Sequence, residues 1–121
     1  MQYLALIHSD EVAWDALDED VRDGVIADYM TFAAKARAAG VMLDGERLAP
    51  SHDATTVRVR EQQTLVVDGP YAEVKEALGG YFVLKCDSIE EACEWAAGIP
   101  AAEYGAIEVR PIHRDPEETH L

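Results

Sequence analysis

Two apolar runs, Tyr3-Leu4-Ala5-Leu6-Ile7 and Tyr81-Phe82-Val83-Leu84, have strand length and no alternation with polar residues. A strand in an antiparallel sheet with one wet face alternates apolar and polar side chains, so an unbroken apolar run asks for cover on both faces. Any fold for this chain must bring something against each side of the sheet that holds these two runs.

The segments between them say what covers the first side. Asp10 to Leu17 reads as acidic and irregular, with Trp14 and Leu17 packing down on the domain. Asp18 is an N-cap type, and Glu19 and Asp20 follow in the first turn of a helix. Val21, Val25, Tyr29, Phe32, Ala33 and Ala36 recur at helical spacing, Lys35 and Arg37 close the last turn, and Gly40 is the expected C′ residue. Val41 to Leu48 reads as a second strand interrupted by Gly45, and Thr55–Arg60 with Thr64–Val67 as a hairpin around Glu61-Gln62-Gln63. Asp68-Gly69-Pro70-Tyr71 is a turn signal, and Ala72 to Leu78 reads as a short helical turn closed by Gly79-Gly80. Tyr81 to Cys86 is a strand. Ser88-Ile89-Glu90-Glu91 is a capping box for a helix that carries Ala92, Cys93 and Ala96 on one face and stops at Gly98 and Pro100. Ala106 to Ile112 alternates as a last strand.

With the inserted hairpin set aside, the order is βαββαβ, an α+β class of ferredoxin-like pattern with two helices over one face of an antiparallel sheet. The other face stays open, and a second copy stacked on it about a two-fold axis is the economical cover, so a homodimer is expected. A chain of 121 residues is the size of one domain. It is placed at residues 1–114, with a frayed acidic tail over residues 115–121.

Composition narrows the function classes. With 49% apolar and 28% charged residues the chain is globular, and no apolar run approaches the roughly 18–20 residues that span a bilayer. The start lacks a basic region and a small-residue cleavage site, so it reads as a strand, and a cytoplasmic location is the default. A net charge of −14, from 24 acidic and 10 basic residues, repels nucleic acid and anionic membrane surfaces. Cys86 and Cys93 are too few for a disulfide framework and are expected as buried thiols.

From Asp68 to Tyr81 the chain runs Asp-Gly-Pro-Tyr-Ala-Glu-Val-Lys-Glu-Ala-Leu-Gly-Gly-Tyr, and this stretch resembles the signature of the YCII-related family in the branch named for its DGPF motif. Tyr71 stands where that branch has Phe. The opening strand with Asp10-Glu11, the Gly45-Glu46-x-Leu48-x-Pro50 segment, Thr55-Thr56-Val57-Arg58, and the pieces Glu94-Trp95-Ala96 and Glu108-Val109-Arg110-Pro111 extend the likeness over residues 1–114. The resemblance implies a dimeric α+β barrel. It also implies that relatives use a His and an Asp in a cleft, one of them as a dehydrochlorinase on a chlorinated hydroxyaromatic ring. Aligned on Gly40 and Pro100, those two positions fall at Tyr29 and Ile99, so the dyad is not kept here. The branch is often encoded beside extracytoplasmic-function sigma factors, which leaves a transcription regulator as a partner.

Each candidate residue has a chemical reading and a plain one. Asp68, after a strand and before Gly-Pro, is a general base facing a cleft or a cap of its own turn. Glu73 and Lys75 bind a polar ligand or form a surface ion pair. His8 shuttles a proton at the end of the first strand or is a hydrogen-bonded rim residue. Tyr29 aims a phenol into a cleft between helix and sheet or packs in the core. Tyr81, which closes the motif, joins Glu46, Glu108 and Arg110 as candidate ligand contacts. The charges among these ring a polar cavity, or Glu108 and Arg110 pair with each other.

No metal site is expected, because His8, His52, His113 and His120 are scattered and no Cys-x-x-Cys occurs. No cofactor is expected either, since Gly79-Gly80 precedes a strand and no nucleophile elbow can be read. The functional expectation is a dimeric small-molecule-binding, accessory or regulatory protein. The alternative is a cofactor-free enzyme doing lyase-like proton transfer on a small hydroxylated or carbonyl compound.

Overall fold

The computed structural model describes residues 1–114, so the tail over residues 115–121 lies outside the described residues. Six strands and three helices follow in the order β1 (Gln2–Asp10), α1 (Glu11–Asp15), α2 (Glu19–Ala38), β2 (Met42–Arg47), β3 (Thr55–Arg60), β4 (Gln63–Asp68), β5 (Glu76–Lys85), α3 (Ile89–Ala96) and β6 (Ala106–Pro111). Four strands form one antiparallel sheet in the order β2-β5-β1-β6, and β3 and β4 pair only with each other. The expected ferredoxin-like α+β arrangement with an inserted hairpin is present. Among the described residues no helix is long and apolar enough to cross a membrane.

Although the sequence of β1 does not alternate, its burial does. Tyr3, Ala5 and Ile7 are buried under the helices, while Leu4 and Leu6 point to the other face and are half-buried. Phe82 and Leu84 of β5 share the helix-covered face with them, and Tyr81 and Val83 the open one. The core between sheet and helices adds Phe32 and Ala36 of α2, Ala92 and Ala96 of α3, and Ile99 and Ala101 beyond it. Phe32 is the wedge, its ring centroid 5.2 Å from that of Phe82 and 6.4 Å from that of Trp95. Alanines at the helix contacts let the backbones approach the sheet around that ring.

The helix ends follow their sequence signals with two exceptions. Gly40 at φ 73° closes α2 in a Schellman motif, with its N–H donating to the Arg37 carbonyl and the Val41 N–H to that of Ala36, both at 2.9 Å. Ser88 Oγ accepts from the Glu91 N–H at 3.1 Å, but the Glu91 carboxylate reaches back to the N–H of Asp87, one residue earlier than a capping box requires. Asp18 stands at the N-cap of α2 without a side-chain capping bond. The segment expected to be irregular is instead the short helix α1, because the carboxylate of Asp10 accepts from the N–H groups of Val12 (3.0 Å) and Ala13 (3.2 Å).

Other expectations are corrected by pairing and burial. The helical turn read over Ala72–Leu78 is absent, since β5 starts at Glu76 and its first residues pair with Ser9 and Asp10 of β1. The ladder overrides the local helix propensity of Glu76-Ala77-Leu78. Gly80 does not end a helix. A Cβ there would lie 2.9 Å from the Glu46 carbonyl, so its absence lets β2 pair closely with β5. Cys86 is buried, but Cys93 is exposed, because the buried side of α3 runs through Ala92 and Ala96.

The β3–β4 turn is a two-residue loop with positive φ at both Glu61 (51°) and Gln62 (68°), the backbone of a type I′ hairpin. Neither residue is the Asn or Gly that this conformation favours, at a cost of about 1 kcal/mol each. Gln62→Gly is therefore expected to raise the urea unfolding midpoint, by an equivalent of about 0.5–1 kcal/mol. A lowered midpoint would show that the turn is unstrained.

Candidate functional site

Beyond the Phe32 wedge, α2 stands off the sheet and leaves a cleft of about 630 Å³. Ile7, Met42, Gly45 and Phe82 form its floor, and Ile26, Tyr29, Met30 and Ala33 of α2 form one wall. Trp14 and Glu11 of α1, Arg47 of β2 and the segment from Leu48 to Pro50 border the opposite side. The interior is mostly apolar, with a few polar groups at one end, the usual make-up of a small-molecule site.

Strand alternation decides which side chains enter. Gly45 pairs with Phe82 and lies on the helix-covered face, where a Cβ would come within 2.4 Å of the Phe82 ring. Its next neighbour on that face is Arg47, whose guanidinium sits 5.6 Å from the centre of the Trp14 ring. The intervening Glu46 pairs with Tyr81, and the side chains of both turn to the open face, so these two border the cleft through backbone. The far rim is clasped: Glu11 Oε1 accepts from the Ser51 N–H at 2.7 Å and Oε2 from the Ser51 hydroxyl at 2.6 Å.

Tyr29 aims its phenol into this space, half-buried against the core, and meets the Tyr104 hydroxyl and the backbone of Ala101. Burial, with the Tyr104 phenol beside it, pushes its pKa far above the ordinary tyrosine value, against smaller opposing effects of the Ala101 backbone and the Arg47 charge. Burial also raises Tyr104. Both phenols keep their protons across the physiological range, so they offer hydrogen bonds and do not act as bases.

The remaining candidates lie elsewhere. His8, Glu108 and Arg110 gather on the open face of the sheet with Tyr81 and Glu46. His8 Nε2 lies 3.4 Å from Glu108 Oε1, and Arg110 pairs with Glu108 Oε2, so the pairing expected of Glu108 and Arg110 is present along β6. Chiefly through that Arg110 hydrogen bond, the Glu108 carboxyl is held below the usual carboxylate range. His8 Nε2 is shielded from solvent yet makes no hydrogen bond of good geometry. Asp68 ends the hairpin, exposed and outside the cleft, and its carboxylate caps no backbone N–H among the described residues; the Gly69 N–H donates to the Ala54 carbonyl (2.6 Å) and the Thr56 hydroxyl to the Gly69 carbonyl. Glu73 and Lys75 are exposed and form no ion pair among the described residues. The cleft thus receives one predicted side chain, Tyr29. Trp14 was read only as packing on the domain, and Arg47 and Tyr104 escaped the sequence reading, although Gly45-x-Arg47 on a strand carried a signal: a lone strand glycine marks a close approach, and the residue two positions on shares its face.

The model of the YCII-related domain matches residues 1–114. The chain is 34% identical over 114 residues to the uncharacterised protein R00369 of Rhizobium meliloti (strain 1021), covering 93% of this chain and 92% of that one. Among solved structures it is similar to the 5-chloro-2-hydroxyhydroquinone dehydrochlorinase of Burkholderia phenoliruptrix AC1100, in complex with 2,5-dihydroxybenzoquinone. The TM-score is 0.58 at 12% identity, over 98% of this chain and 100% of that one. At that identity the likeness carries the fold alone.

The clasp between Glu11 and Ser51 holds the cleft rim with two hydrogen bonds to a carboxylate. Glu11→Ala is expected to cost about 2 kcal/mol in urea unfolding. An unchanged midpoint would show that the rim is held by other contacts.

Proposed function

Because the chain belongs to the YCII-related domain family, we propose that it is a homodimeric small-molecule-binding protein whose ligand enters the cleft between α2 and the sheet. The observation that carries the reading is the cleft itself: about 630 Å³ of mostly apolar space with the Tyr29 phenol aimed into it. That volume lies within the range of ligand pockets, and the Gly45 floor keeps it open. The dihydroxybenzoquinone held by the dehydrochlorinase of the same fold is a flat, oxygenated ring, and a molecule of that size and shape suits these walls.

The dimer accounts for the open face. Leu4, Leu6, Tyr81 and Val83 are half-buried there in a single copy, a larger apolar surface than a wet sheet face keeps. Stacking two such faces covers them and leaves the helix-side cleft of each copy free.

The dehydrochlorinase fold favours a second reading, cofactor-free proton transfer on a hydroxylated or carbonyl ligand. In that chemistry Tyr29 would donate a hydrogen bond or a proton, since burial holds it protonated. A base must then come from another group, and Asp68 stands outside the cleft of its own copy, so binding is the reading put first.

A thermal-shift screen of small acids, phenols and carbonyl compounds tests both readings. A ligand at a hundred times its Kd should stabilise the fold by about 2.7 kcal/mol, a rise of roughly 10 °C in Tm. Ala33→Trp, which fills the cleft from α2, should abolish the shift. Hits that survive in that variant place the ligand elsewhere, and a monodisperse monomer at micromolar concentration removes the dimer.

A further inference from the structure

Resting on the cleft as the ligand site, we propose that its ligand is a flat apolar ring bearing a delocalised oxyanion such as a carboxylate, with Arg47 as the residue that receives the charge. The chain carries 24 acidic residues against 10 basic ones, yet the Arg47 guanidinium forms no ion pair and no side-chain hydrogen bond among the described residues. One planar face is spent on Trp14, which fixes the group at the cleft border and leaves its N–H edge unmatched.

The two acidic residues nearest this edge in the chain or across the rim, Glu11 and Glu46, are occupied or turned away. Both oxygens of Glu11 accept from Ser51. Glu46, the adjacent residue, alternates to the opposite face of the sheet with Tyr81. Asp15, at the end of α1, is an exposed acid at the border, and Arg37 of α2 adds a second cation on the other side. Burial keeps both phenols protonated; Tyr29 donates to the Tyr104 oxygen, and the Tyr104 O–H is the one left to offer from the far wall. The unmatched N–H edge of Arg47, the Arg37 cation and the Tyr104 O–H therefore outnumber the exposed Asp15 carboxylate at the border, the complement of an oxyanion. The rest of the space, between Ile7 and Phe82 below and Met30 and Ala33 above, is apolar and takes the ring.

The geometry also explains why the arginine is at position 47 and not 46. Beyond the irregularity between Met42 and Asp44, positions 45 and 47 share the cleft face and 46 turns away, and 45 must stay free of a side chain, so the charge reaches this end of the cleft from 47.

Calorimetric titration with 2-naphthoate and with its uncharged counterpart 2-naphthylmethanol tests the proposal. The wild-type protein is expected to bind the carboxylate at least tenfold more tightly than the alcohol. Arg47→Gln should remove that preference by weakening carboxylate binding at least tenfold relative to the alcohol, and Arg47→Lys should restore part of it. Equal affinities in the wild type, or a preference that persists in Arg47→Gln, overturn the anion inference; the cleft reading survives if Ala33→Trp still abolishes binding. Failure of both probes and of every screened compound removes the cleft reading, and the inference with it.

Discussion

One ring decides where this fold is solid and where it is hollow. Phe32 sits between Phe82 of the sheet and Trp95 of α3, and so sets how closely α2 can approach. On one side of that wedge the contact residues are alanines, Ala36 of α2 with Ala92 and Ala96 of α3, and the layers close. On the other side α2 presents Tyr29 and Ala33, too little bulk to fill the gap above Ile7 and Phe82, and the layers part. A helix is a stiff rod, so a gap opened at one point of its length persists over neighbouring turns. The cleft follows from the spacing of large and small residues along a single helix, and no separate loop has to build it.

That dependence explains which parts were legible in the sequence. Gly40, Ser88 and the apolar runs of β1 and β5 act through backbone geometry and periodicity, signals confined to a few neighbouring residues, and each element they mark is present. The first half of β5 was misread because Glu76-Ala77-Leu78 is locally a helix former, while the force that makes it a strand comes from Ser9 and Asp10 across the sheet. The α1 helix was missed for the opposite reason: Asp10 was counted with an acidic run, when its capping of Val12 and Ala13 is what organises that run. Of the site, Tyr29 was visible from the apolar stripe of α2. Trp14 and Arg47 come from elements far apart in the chain, and a contact between them has no local signature.

The charge distribution gains a meaning from this placement. A protein at −14 repels anions at long range, a field that salt screens beyond roughly a Debye length of 8–10 Å. At the cleft, the guanidinium groups of Arg47 and Arg37 and two protonated phenols act at close range instead. Such an outer field would oppose polyanions such as nucleic acid, while an anion small enough to enter the cleft, as proposed, would meet donors at close range. On that proposal size and charge would act together as a filter, and neither alone would discriminate.

The pleat of the sheet then separates the two tasks proposed for this protein. Along β2, Gly45 and Arg47 face the cleft and Glu46 faces away; along β5, Phe82 faces the cleft, while Tyr81 and Val83 face away. The polar cluster of His8, Glu108 and Arg110 belongs to the side facing away, where a second copy would lie. Because the side-chain period of a strand is two, no substitution on one face changes the chemistry of the other directly. Coupling between ligand and partner would have to travel through the backbone of β5, which pairs with β1 and β2 along its length and carries a bulge where Ile7 and His8 of β1 meet it. That bulge lies beside Gly80 on the cleft side and His8 on the open side, so a shift in register there is a local movement that both faces would feel.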